Sequence, residues 1–248
     1  MRKYGMVIDL NRCIGCRSCA VACKIHNAQP PGTWWQRVES VGSKEHMVPA
    51  GEYPDITETF LPVPCMHCEK PACVKVCPVG ATWKREDGIV LVDYERCVGC
   101  RYCMTACPYG VRQFNWQDSK KSFEQGFENA GFEENWFKDK EYRYGYPLEH
   151  RTKGRLVYAP KRPKGVVEKC TFCVQYFDQG LQPACVRGCP GNARIFGDMN
   201  DPDSDISKVL RSRDIFRLNE ELGTEPKVFY IPLARKEGKG GISYGKKL

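Results

Sequence analysis

Sixteen cysteines fall into four groups of four, and nothing else in the chain limits its fold so strongly. The groups are Cys13, Cys16, Cys19, Cys23; Cys65, Cys68, Cys73, Cys77; Cys97, Cys100, Cys103, Cys107; and Cys170, Cys173, Cys185, Cys189. No cysteine is left over for a disulfide or a nucleophile. In groups one and three the first three thiols come three residues apart and the fourth comes four residues later. Three thiols in step can wrap one corner of an iron–sulfur cube, with the intervening backbone N–H groups facing its sulfurs. The fourth must approach from another side, and in runs of this spacing it ligates a neighbouring cluster.

Zinc is the competing reading. Zinc ribbons use separated C-x2-C pairs, and a third cysteine three residues on has no role there. A zinc-stapled nucleic-acid-binding protein is the remote alternative; a brown rather than a colourless preparation separates the two. His67, inside "CMHC", reads as a packing or solvent-facing residue, and His26, His46 and His150 have no ligand spacing. The acidic stretch "GDMNDPDSD" (197–205) lacks the EF-hand pattern and reads as a strand end followed by a capped helix near Ile206–Phe216.

The formal charge of +8 counts every cysteine as neutral. With all 16 as thiolates on four oxidised cubane cores of about +2 each, the total comes to about zero. The basic excess then balances internal anions and does not call for nucleic acid. The opening "MRKYGMVIDL" holds no apolar run of signal-peptide length, and no stretch approaches the ~18 apolar residues of a membrane span.

The chain also repeats itself. "VIDLNRCIGCRSCAVAC" (7–23) and "LVDYERCVGCRYCMTAC" (91–107) share 9 of 17 residues, and "PACVKVCPVGA" (71–81) and "PACVRGCPGNA" (183–193) share 7 of 11. Between groups two and three, "PVGATWKREDGIVLVDYER" predicts a hairpin: strands at Ala81–Lys84 and Ile89–Asp93, with a turn at Glu86–Gly88. Cysteine loops joined by a hairpin and short helices resemble a bacterial two-cluster ferredoxin. The expected fold is α+β: two pseudo-symmetric bacterial-ferredoxin-like modules with small antiparallel sheets and an irregular insert. Module one takes residues 1–59 and 166–233, module two 60–110, the insert 111–165 and a flexible tail 234–248. Pro78, Pro108 and Pro190 follow the fourth cysteine in three groups; Lys24 stands there in group one, where the helix is expected to run on through "KIHNA". Residues 114–146 carry ten aromatics, and part of this segment is expected to dock on a partner.

Only 19 residues separate Cys77 from Cys97, so groups two and three are expected to exchange fourth ligands, leaving groups one and four to pair. The expected sets are Cys13, Cys16, Cys19 with Cys189; Cys170, Cys173, Cys185 with Cys23; Cys65, Cys68, Cys73 with Cys107; and Cys97, Cys100, Cys103 with Cys77. Each would hold one [4Fe–4S] cluster, four in all.

With "EKCTFCVQYFDQGLQPACVRGCPGNARIFGD" and the closing "LGTEPKVFYI" added to the other motifs, residues 4–232 resemble the iron–sulfur subunit of a dimethyl sulfoxide reductase-family molybdenum oxidoreductase, of the polysulfide, tetrathionate, arsenate or dimethyl sulfoxide reductase type. The resemblance implies the same exchange of ligands. It implies electron transfer between an integral-membrane quinone or quinol subunit and a molybdopterin catalytic subunit. It also implies a position at the bacterial cytoplasmic membrane, on the periplasmic or outer face, without a span of the chain's own. Nitrate reductase relatives have tryptophan where this chain has Cys100, so four complete clusters are expected here. An iron–sulfur subunit of a formate dehydrogenase or hydrogenase complex and a free polyferredoxin are the alternatives. Arg17, Lys24, Lys70, Lys75, Arg101, Lys169 and Arg187 lie beside the motifs as candidate charges that raise cluster potentials.

Overall fold

The computed structural model describes residues 1–41, 48–49, 51–117, 149–159 and 162–234. His46, most of the aromatic insert and the Gly- and Lys-rich tail lie outside them. In chain order the elements are β1 (Tyr4–Asp9), α1 (Ser18–His26), β2 (Arg37–Val41), β3 (Thr59–Val63), α2 (Ala72–Lys75), β4 (Thr82–Lys84), β5 (Val90–Val92), α3 (Tyr102–Thr105), β6 (Gln113–Phe114), β7 (His150–Thr152), β8 (Arg155–Tyr158), β9 (Val167–Glu168), α4 (Val174–Phe177), α5 (Ala184–Arg187), β10 (Arg194–Asp198), α6 (Asp205–Ser212) and β11 (Val228–Ile231). Small sheets and short helices make an α+β chain.

Helices α2 to α5 have four residues each. One turn of helix does not persist alone in water. Each of the four carries or abuts cysteines, so what surrounds the thiols holds these turns in place. The hairpin β4–β5 pairs Thr82 with Val92 and Lys84 with Val90, within a residue of the expected strands. Its turn closes through a Gly88 N–H donated to the Arg85 carbonyl at 2.9 Å.

Two expectations need correction. The sheets are not all antiparallel: β1 lies between β10, which is antiparallel to it, and β11, which is parallel. A parallel neighbour needs a long crossover, and nearly the whole chain supplies it. On the way to β11 the chain bonds to the group-two loop, with Glu69, Lys70 and Lys227 N–H groups donating to the Glu225, Thr224 and Met66 carbonyls. The helix expected over Ile206–Phe216 runs only over Asp205–Ser212. The Ser204 side chain caps its start. It stops early because Arg213 is extended and Phe216 exchanges backbone hydrogen bonds with Tyr230.

One apolar cluster runs through the molecule. Met6, Ile8, Leu61, Ile89, Leu91, Phe172, Phe196 and Tyr230 belong to it, together with Cys19, Cys65, Cys170 and Cys185. These four thiols therefore sit inside the core. A second connection is polar. The fully buried Arg162 and Glu168 pair at 2.8 Å, the Trp35 indole N–H donates to Glu168 at 3.0 Å, and Arg162 donates to the Ala28 and Ala159 carbonyls.

Candidate metal centres

Three cavities are ringed by cysteines. One is lined by Cys13, Cys16, Cys19 and Cys189, a second by Cys65, Cys68, Cys73 and Cys107, and a third by Cys77, Cys97, Cys100 and Cys103. They are open to solvent and offer about 370, 380 and 290 Å³ of free space, solvent included. The remaining four cysteines meet in the interior. Cys23 is buried, and its thiol is pushed well up by that burial and by the Cys170, Cys173 and Cys185 thiolates beside it. The Asn27 amide lies between groups, with Nδ2 at 3.6 Å from Cys23 Sγ and 3.7 Å from Cys173 Sγ.

Local backbone explains how the loops open. Gly15 and Gly99 have φ of +70° and +69°. The residues that start the following helices, Arg17 and Arg101, have φ of 60° and 62°. These left-handed residues turn the loop so that successive thiols face one side. A Cβ on Gly99 would lie 1.9 Å from the Gly165 carbonyl oxygen, which only glycine permits.

The sulfurs are also supplied with donors. Backbone N–H groups of Thr82, Val167, Phe172 and Ala193 reach Cys77, Cys97, Cys170 and Cys189 Sγ at 3.3–3.4 Å. Gln29 Nε2 reaches Cys23 Sγ at 3.1 Å. Against partial burial, the N–H groups of Thr82, Ala81 and Val79 hold the Cys77 thiol below its usual range. At Cys68 and Cys173 burial dominates and pushes both thiols up to about 12. A thiolate in such a place needs compensating positive charge, which ligated iron supplies. The thiols ring spaces, and the donor set is all sulfur. These residues fit iron–sulfur cubanes better than four zinc ions.

His67 is fully buried, which corrects any solvent-facing reading. It stacks on Phe172 with ring centroids 3.7 Å apart, and its Nδ1 accepts from the Val90 N–H at 3.1 Å. Burial and the charges of Lys169, Lys227 and Arg112 keep it neutral. Lys169 is buried and donates to the Cys170 carbonyl at 2.7 Å and to the Val90 carbonyl. Where the other groups have proline, Lys24 ties down the next loop by donating to the Pro30 and Thr33 carbonyls, and α1 runs on to His26. Two residues that sequence reasoning missed are Arg112 and Arg194, each about 3–4% exposed among the thiols. Their signal was present: "CPYGVR" and "CPGNAR" each place an arginine five residues after the fourth cysteine.

Fold and site define the class, a ferredoxin-like protein built on tandem cubane-binding motifs. Models of the 4Fe-4S dicluster domain match residues 12–81, 56–124 and 96–194. The chain is 44% identical, over 93% of its length and 79% of the relative, to a putative dimethyl sulfoxide reductase iron–sulfur subunit from Halobacterium salinarum. It is 43% identical to a selenate reductase subunit from Mesobacillus selenatarsenatis, over 92% of the chain and 72% of the relative. It is 39% identical to the arsenate respiratory reductase iron–sulfur subunit from a Shewanella species, over 92% and 96%. The chain belongs to this family, the iron–sulfur electron-transfer subunits of respiratory reductases. Among the described residues no helix is long and apolar enough to cross a membrane.

Proposed function

We propose that this chain relays single electrons along a row of four [4Fe–4S] clusters, held by the four cysteine sets above with exchanged fourth ligands. The observation that carries this reading is the order of the sets. Cys103 feels the charge of Cys73, Cys170 that of Cys65, and Cys185 that of Cys19. These neighbours link the sets into one row: Cys97, then Cys65, then Cys170, then Cys13. Of the 16 thiols only Cys16 and Cys100 are exposed, and they belong to the two end sets. A relay buried in the middle and open at both ends suits a chain that takes electrons from one partner and delivers them to another.

Each cluster supplies a one-electron couple whose potential the surrounding protein sets. The residues do the rest. The cysteines fix position and spacing, and the N–H donors to sulfur favour the reduced, more anionic form. Module one would comprise 1–59 with 166–233, and module two 60–110. By analogy with relatives named as subunits of selenate, tetrathionate and menaquinone reductases, the partners are a molybdopterin catalytic subunit and an integral-membrane quinone-reactive subunit. The outer face of the cytoplasmic membrane is the proposed site of action.

The test is anaerobic analysis of the purified chain. We expect about 16 iron and 16 sulfide per chain. About four zinc with no iron would end the proposal.

A further inference from the structure

A buried guanidinium is costly unless an anion stands beside it. Arg112 and Arg194 are each nine-tenths or more buried, and the strongest charges on both are thiolates. For Arg112 they are Cys73, Cys103 and Cys65; for Arg194 they are Cys185 and Cys19. Burial works against both cations, and the thiolates outweigh it. Arg194 Nη2 donates to Cys19 Sγ at 3.3 Å, and Nη1 lies 3.6 Å from Met6 Sδ. Arg112 Nη1 donates to Thr82 Oγ1 at 3.2 Å. Its buried Nη2 makes no hydrogen bond to oxygen or sulfur among the described residues, and the side chain lines the cavity that Cys65, Cys68, Cys73 and Cys107 ring.

The placement has a pattern. Cys19, Cys73, Cys103 and Cys185 are the third cysteines of their groups. Arg112 faces Cys73 and Cys103, and Arg194 faces Cys19 and Cys185. Each pair of sulfurs belongs to two different cavities or sets. Thr82 occupies in group two the position that Arg112 occupies in group three, and the two are hydrogen-bonded, so this pair of sets holds one such cation between them.

We infer that Arg112 and Arg194 each act as a charge shared by two neighbouring clusters, raising both potentials together and offsetting the repulsion between two reduced neighbours. This rests on the ligand sets proposed above. A positive charge next to a cluster favours its reduced form. A charge placed between two clusters favours the reduced form of each, and so offsets the repulsion between two reduced neighbours without altering it. The arginines are positioning residues, and they neither ligate iron nor carry the electron.

The experiment is a potentiometric titration of the purified holo-protein followed by electron paramagnetic resonance. The parent is compared with Arg112→Gln and Arg194→Gln. Iron and sulfide counts on the parent test the cluster reading by themselves; the potentials test the arginines. In Arg112→Gln we expect the Cys65 and Cys97 clusters both to become at least tenfold harder to reduce, or about 59 mV for one electron, with the other two unchanged. In Arg194→Gln the Cys13 and Cys170 clusters shift instead. Unchanged potentials with full iron, or a shift confined to one cluster, overturn the inference. Should a Gln variant lose iron, the Lys variants, which keep the charge and lose the fork, are read instead. The expected result is then potentials near the parent's in both clusters of the pair, and a fall of tenfold or more in the reducibility of either, with full iron, overturns the inference.

Discussion

On the proposed cysteine sets, residues 60–110 and the split region formed by 1–59 with 166–233 would carry the same kind of site, assembled differently. In the first, 19 residues lie between Cys77 and Cys97 and a hairpin spans them. In the second, 146 residues lie between Cys23 and Cys170. Closing the longer loop costs about 2 kcal/mol more. The split region has what the contiguous one does not need: a strand, β1, held between β10 and β11, and the buried Arg162–Glu168–Trp35 contact near group four. The lesson is that a sequence-distant cysteine group can join a site when the connection is stapled elsewhere.

The strongest way to break this comparison is to remove a staple. Arg162→Ala leaves the buried Glu168 carboxyl with the Trp35 N–H but without its cation, and we expect a loss of about 3–5 kcal/mol in holo-protein stability. Chemical denaturation reads it, with the Cys170 cluster bleaching first. The exposed Lys153–Glu86 pair is the control, and Lys153→Ala should leave the denaturation midpoint where it was.

A sharper comparison uses one position in both regions. Gly15 and Gly99 sit in matching loops with nearly equal φ, so alanine strains both by about 1–2 kcal/mol. Their surroundings differ. A Cβ on Gly15 meets the half-buried Phe60 ring, whereas on Gly99 it meets the Gly165 carbonyl oxygen. A ring can turn aside more easily than backbone. Iron analysis should find Gly99→Ala losing its cluster more readily than Gly15→Ala; equal retention would contradict this.

The smallest effect belongs to the outer layer of the split region. Ser204 Oγ accepts from the Ser207 N–H at 3.2 Å and starts α6, which packs on β10 and β1. Ser204→Ala should cost about 1 kcal/mol and leave iron content unchanged. Thermal melts and iron assay check both halves of that statement.

Much of this was legible because cysteine spacing is a local signal. The grouping, the hairpin at Thr82–Val92 and the family resemblance all follow from short stretches. The parallel pairing of β1 with β11 was not legible, since it depends on where residues 224–227 bond to the group-two loop. Nor was the early end of α6, where pairing between Phe216 and Tyr230 overrides a helical pattern. Arg112 and Arg194 share a position five residues after a fourth cysteine, but spacing alone does not say which way a side chain turns. Only the fold shows that both stand between thiols. The burial of His67 came from its stacking on Phe172, more than a hundred residues away.

The exchange of fourth ligands is tested most directly by Cys23→Ser. Electron paramagnetic resonance of the reduced holo-protein would be read with Cys16→Ser and Cys170→Ser as references for the two signals. Cys23 lies four residues from Cys19 in sequence, yet it meets Cys170, Cys173 and Cys185 in the fold. We expect the signal of the Cys170 cluster to change or vanish while that of the Cys13 cluster persists. Loss of the Cys13 signal with the Cys170 signal intact would contradict the exchange and the row built on it.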